Sequence, residues 1–186
     1  MPALNKSVFS RFPELHTNRL HLREIRMEDA AQIFAMRSSG RVNRFIAREE
    51  MPTLQEAEKL VDKTRTAYEN QLGIGWAAVL RDRPDIIGTC GFNSIDYANH
   101  RAEIGGEMMV DYWGKHLALE AVQAIVHFGV NTFLLHSIEA KVSPLNRGAI
   151  AILEHLGFVK EAHYRDRIFF KEQYSDMAVY TLVQKP

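Results

Sequence analysis

Residues 102–142 carry the pattern that most restricts the fold. Ala102-Glu103-Ile104-Gly105-Gly106-Glu107-Met108-Met109-Val110 reads as a strand. Leu117, Ala121, Val122, Ile125, Val126 and Phe128 then recur near helical spacing, which predicts a helix from close to Gly114 to about Asn131. His136 to Val142 follows as a second strand, with Ile138, Ala140 and Val142 in alternation. Strand, helix and strand in this succession form a parallel crossover, and such crossovers are right-handed. A sharp strand-to-helix turn leaves backbone N–H groups unpartnered at the helix start. With the positive end of the helix dipole and Lys115 beside them, those donors make a site for phosphate. An ordinary turn with a solvated lysine explains the same residues, so the rest of the chain has to decide.

Before this unit, Arg19-Leu20-His21-Leu22-Arg23 alternates like a half-buried strand, and Glu28-Asp29 opens a helix burying Ala30, Ile33 and Phe34. Thr53-Leu54-Gln55-Glu56 is a capping box ahead of a second helix through Tyr68. Strands are predicted at 76–80 and 86–95, joined by turn-forming residues. After Val142, Asn146 caps a short helix that Gly157 stops, and strands begin at Phe158 and Asp176. Trp76 and Phe92 are assigned to the core. The expected fold class is α/β (α+β): one domain with a mixed, mostly antiparallel central sheet flanked by helices. Residues 1–14, with Pro2 and Pro13, are expected to be a loosely held N-terminal arm, and 15–186 the domain itself.

Composition closes off several functions. Lys plus Arg equals Asp plus Glu, 23 against 23, which argues against a dedicated nucleic-acid or anionic-membrane binder. No apolar run reaches membrane-spanning length and no signal-peptide apolar region is visible, so a soluble, cytoplasmic protein is expected. The single cysteine, Cys90, fits a reducing compartment. His136, His155 and His163 lack metal-ligand spacing, and no metal is predicted.

Several motifs now fall in a recognisable order: Leu15-His16-Thr17-Asn18-Arg19-Leu20-His21-Leu22-Arg23, Ile87-Gly88-Thr89-Cys90-Gly91, Arg101-Ala102-Glu103-Ile104-Gly105, Tyr112-Trp113-Gly114-Lys115 with Glu120-Ala121, Asn146, and Leu156-Gly157-Phe158. In this the chain resembles the GNAT acyltransferases, and within them the RimJ/RimL-like group of ribosomal-protein N-terminal acetyltransferases. The resemblance implies acetyl-CoA as donor and an amine as acceptor. It implies that backbone amides of Trp113, Gly114, Lys115, His116, Leu117 and Ala118 take the CoA pyrophosphate. It further implies that Met108, Met109 and Val110 present backbone groups to the pantetheine arm, and that Asn146 bonds that arm besides capping its helix.

The family pattern is broken at three positions. The turn reads Gln/Arg-x-x-Gly-x-Gly/Ala in the family; here Trp113 and Ala118 stand at its ends, and His116 replaces the central glycine. Histidine tolerates positive φ poorly, although its imidazolium form suits a neighbouring phosphate. Cofactor binding is therefore expected to be retained but weakened. Leu153 stands where many relatives carry a tyrosine acid, and Ala149 where the RimJ/RimL-like group carries a serine. Tyr164 is the substitute acid to test.

For the base, Glu103 and Glu107 occupy alternate positions of one strand and share a face. Glu103 is preferred, directly or through water, with an ion pair to Arg101 or Arg23 as its competing role; Glu107 is the reserve. Arg41, Asn43, Arg44 and Phe45 fall where the family places the acceptor groove. The expected activity is acetyl transfer to a protein N-terminal α-amine, with ribosomal proteins among the candidates. A polyamine, amino acid or drug is the alternative acceptor, and a non-catalytic acyl-CoA sensor the alternative class. Either a monomer or a homodimer is compatible with this reading.

Overall fold

A computed structural model describes residues 3–184. The first two residues of the expected arm and the last two of the expected domain lie outside the described residues. The strands are β1 (Leu15–His16), β2 (Leu20–Glu24), β3 (Ile74–Leu80), β4 (Ile86–Asp96), β5 (Arg101–Met108), β6 (Ser137–Val142), β7 (Val159–Phe170) and β8 (Gln173–Val183). They form one eight-stranded sheet in the order β1-β2-β3-β4-β5-β6-β8-β7. Among the described residues, only β5 and β6 pair in parallel. The helices are α1 (Ala30–Arg37), α2 (Gly40–Asn43), α3 (Leu54–Glu69), α4 (Leu117–Asn131) and α5 (Arg147–His155). The fold is the α/β architecture expected, with the crossover running through α4. Among the described residues, no helix is long and apolar enough to cross a membrane.

Alternation along β3 divides the core. Ile74, Trp76 and Ala78 face Leu117, Ala121, Ile125 and Phe128 of α4 on one side of the sheet. Ala77 and Val79 face Ala30 and Ile33 of α1 and Ala57 and Val61 of α3 on the other. Trp76 and Phe92 are both buried, as expected.

The segment before β1 departs from the expected loose arm. Lys6–Phe9 forms a 3-10 turn, and Leu4 and Val8 are buried. Asn5 donates its N–H to the Phe133 carbonyl, and the Trp76 indole donates to the Pro13 carbonyl at 2.6 Å. Phe9 and Phe12 pack against Tyr68. A buried indole N–H needs an acceptor, and this segment supplies it.

Two boundaries also shift. β5 ends at Met108, two residues earlier than expected, because Val110–Tyr112 closes a 3-10 turn in which the Tyr112 N–H bonds the Met109 carbonyl at 3.0 Å. α4 starts at Leu117 rather than near Gly114, because Gly114 (φ +71°) and His116 (φ +57°) both lie in the left-handed region.

Candidate active site

The parallel pairing of β5 with β6 covers only Arg101↔Ser137, Ala102↔Ile138 and Glu103↔Glu139. Beyond Glu103, β5 stays with β4 while β6 stays with β8, so a wedge opens inside the sheet. The Met109 N–H donates to the Ile87 carbonyl at 2.8 Å. By the alternation of an antiparallel ladder, Ile104, Gly106 and Met108 turn their backbone groups away from β4 and toward the wedge. Of the three residues expected to face a pantetheine arm, Met109 is thus engaged at both N–H and C=O. The Val110 carbonyl accepts from the Trp113 N–H at 3.1 Å, and the Met108 carbonyl accepts the Trp113 indole at 2.8 Å.

At the open end of the wedge stands the turn 113–118. The Trp113 N–H is engaged with Val110, but the N–H groups of residues 114–119 have no acceptor among the described residues. The first internal bond of α4 is Glu120 N–H to the His116 carbonyl, at 3.1 Å. Successive free amides at a helix start, with Lys115 alongside, form a strong anion cradle. His116 is exposed. Its left-handed backbone keeps the conformation a glycine would take, at a cost of about 1–2 kcal/mol.

The turn is latched from the opposite edge of the sheet. Glu120, in the first turn of α4, accepts from the Thr17 hydroxyl at 2.5 Å, the Arg19 N–H at 2.7 Å and the Arg19 guanidinium at 2.7 Å. Arg19 also donates to the Lys115 carbonyl at 3.0 Å. Burial works against the Glu120 charge, but these hydrogen bonds outweigh it and hold the carboxyl below its ordinary range. Sequence reasoning missed this latch; the only signal was an acid in the first turn of a helix.

Glu103 sits at the apex of the wedge and accepts from Lys141 at 2.6 Å. Its partner is neither of the arginines expected: Arg101 bonds Asp96, and Arg23 bonds Asp29 through two 2.7 Å contacts. The Glu103 bond lifts the Lys141 ammonium above its ordinary range. Glu107 is different in kind. Its side chain is 4% exposed and held by the Arg37 guanidinium at 2.5 Å and by Arg48. Burial pushes the Arg37 guanidinium down, and the Glu107 charge offsets this only in part. Asn43 completes the network, donating to the Arg37 carbonyl at 2.6 Å and accepting from Arg48 at 2.7 Å. The loop after α1 is thereby fixed to the cofactor-side strand, a role the sequence did not announce for Arg37 or Arg48. Such a clamped carboxylate is poorly placed to act as a base or to draw in a cation.

Asn146 caps α5, accepting from the Ala149 N–H at 3.1 Å, while its amide NH₂ has no partner among the described residues. Leu153 is buried in the core. Tyr164 lies on the outer strand β7, opposite Met177, with β8 between it and β6. It is 46% exposed, carries Arg167 over its ring, and its hydroxyl has no protein partner among the described residues. Arg41 lies over the Trp113 ring at 5.9 Å, next to the turn. The tip of the β7–β8 hairpin reaches the same loop from the far side, where Lys171 meets Glu49 at 3.3 Å.

Comparison with known proteins agrees with this fold. The family model described as "Acetyltransferase (GNAT) domain" matches residues 19–159. The uncharacterized N-acetyltransferase YoaA of Bacillus subtilis (strain 168) is 33% identical over 173 residues, covering 93% of this chain and 98% of YoaA. The [ribosomal protein uS5]-alanine N-acetyltransferase of Escherichia coli (strain K12) is 29% identical over 96 residues, 51% of this chain and 50% of that protein. In fold, the chain is similar to RimL, the ribosomal L7/L12 alpha-N-protein acetyltransferase, solved in complex with coenzyme A. The TM-score is 0.84 at 14% identity, covering 92% of this chain and 98% of that one.

Proposed function

The chain belongs to the GNAT acetyltransferases, which use acetyl-CoA to acetylate an amine nitrogen, and from that premise we propose that its acceptor is the α-amine of a protein N-terminus. The observation that carries the reading is the run of unpartnered N–H groups at residues 114–119, placed at the mouth of the wedge between β5 and β6. In this reading those amides and Lys115 hold the pyrophosphate. Gly106, Met108 and Val110 bond the pantetheine arm like an added strand, and the Asn146 amide steadies its far side. Trp113 contributes its ring and its indole bond to Met108 rather than its N–H. Met109 contributes by pinning the strand to β4.

When bound, acetyl-CoA supplies an activated acetyl thioester. A strand N–H facing the wedge polarises the thioester oxygen. The incoming α-amine titrates near ~7.7–8.0, so a substantial minority of it, roughly a fifth to a third, is already neutral at physiological pH, unlike a lysine near ~10.4. Glu103, at the apex, removes the remaining proton through water while Lys141 steadies its carboxylate. Transfer is direct rather than through a cysteine acyl-enzyme, because desolvation in the sheet pushes the Cys90 thiol up to about 12. We assign protonation of the departing thiolate to water rather than Tyr164, since the phenol stands on the far side of β8 from the wedge.

The relatives that act on ribosomal proteins favour a protein acceptor for this chain as well. The test is CoA release by the full chain with free N-terminal peptides, the same peptides N-terminally blocked, and polyamines, with mass spectrometry locating the acetyl group. Acetylation confined to the α-amine is expected. Turnover on polyamines or lysine side chains alone would replace the acceptor assignment, and binding of acetyl-CoA without turnover on any amine would identify a sensor.

A further inference from the structure

We propose that Glu14, His16 and His21 form a binding site for a borderline divalent metal ion, with Zn²⁺ as the natural probe. His16 and His21 are direct cross-strand partners in the β1–β2 hairpin, so their side chains leave the same face. The neighbouring pair, Leu15 and Leu22, points the other way, and Leu22 is fully buried. Alternation therefore presents both imidazoles outward for the same reason that it buries the leucine. The rings stack with centroids 4.4 Å apart and planes 14° from parallel. Glu14 Oε2 lies 2.9 Å from His21 Nε2. One ligand atom from each of the three residues lies within 4.8 Å of the others.

Tetrahedral zinc with bonds near 2.0–2.1 Å requires ligand atoms about 3.3 Å apart. The site thus needs the rings to tilt out of their stack until both nitrogens converge. The side chains can do this, being partly exposed (28% for His21 and 45% for Glu14) and reorienting on fast timescales. Two imidazoles and a carboxylate suit zinc, nickel or copper rather than calcium or magnesium, with water completing the shell. Arg23, two residues on along the same face of β2, is already paired with Asp29. The turn between the two histidines holds Thr17 and Arg19, the residues that grip Glu120. A metal here would cross-link the two strands that carry that grip.

The experiment uses the full chain, free of any affinity tag and stripped with chelator, titrated with Zn²⁺ against a chromogenic competitor and with Co²⁺ for visible d–d absorption. One equivalent of tight zinc, a tetrahedral-type cobalt band and a zinc-dependent rise in Tm are expected. His16→Ala and His21→Ala should each weaken zinc binding at least about tenfold and remove the Tm rise. His163→Ala, at the separate His163–Asp176 pair on the other edge of the sheet, should change nothing. Absence of zinc uptake, or uptake that survives both hairpin variants, would overturn the site. Both hairpin substitutions fall on a short, partly exposed edge strand pair, and circular dichroism confirms that each variant is folded before binding is read.

Discussion

The two sides of the wedge are built on opposite principles. At the turn, residues 114–119 offer free main-chain N–H groups, and nearly all of them are consecutive in the chain. On the α1 side of β5, Glu107 is buried against Arg37 and Arg48, and its partners come from 70 and 59 residues away. In its proposed role the first region would recognise through backbone and tolerate varied side chains. The second depends on three particular charges and should tolerate almost none. Substitutions ought therefore to separate cleanly into those that change affinity and those that change stability.

The largest effect is expected at Glu107. Glu107→Ala leaves two partly buried guanidinium groups without their counter-charge and should cost about 3 kcal/mol of stability in chemical denaturation. A loss under about 1 kcal/mol would mean the network is solvated, and the contrast between the two sides would fail. Glu120→Ala comes next, at about 1.5–3 kcal/mol, since it removes charge-assisted bonds from Thr17 and Arg19. Its effect also has a pH signature. A carboxyl held below its unfolded value stabilises fully above the ordinary range near ~4.3, and that contribution is lost as pH falls through the folded value. Wild type should thus lose stability on acidification more steeply than Glu120→Gln, as read from Tm between neutral and acid buffers; parallel curves would remove the latch.

On the cofactor side, Lys115→Ala should weaken acetyl-CoA binding about fivefold, or about 1 kcal/mol, with Tm of the free protein unchanged. A stability loss without an affinity change would reverse the roles of the two regions. The smallest effect is at His116, where His116→Gly relieves the left-handed strain and should raise stability by about 0.5–1 kcal/mol net of the added chain entropy. Tighter acetyl-CoA binding alongside would mean that the imidazole hinders the phosphates, and weaker binding that it assists them.

What could be read from the sequence follows the same division. The strand–turn–helix unit, the Asn146 cap and the buried Trp76 and Phe92 were legible because periodicity and capping are local properties. α4 starts three residues later than the periodicity suggests because Lys115 and Leu117, both helix-compatible, flank a left-handed histidine that no propensity predicts. The Leu4–Phe12 segment carries no strand or helix period, and its packing is dictated by a distant indole and aromatic partners. Glu103 is expected from sequence to pair with Arg101 or Arg23, but the parallel crossover brings Lys141 instead. The Glu107 clamp required knowing where the loop after α1 returns, which only the assembled sheet decides.

Backbone nitrogens that would hold a diphosphate under the proposed function are chemically indifferent to which oxyanion arrives. Sulfate from a precipitant or inorganic phosphate from a buffer would occupy the same row at residues 114–119. Apparent donor affinity should therefore rise when the protein is moved from phosphate into a buffer of bulky organic ions, and kinetic constants compared between laboratories will diverge by that competition alone.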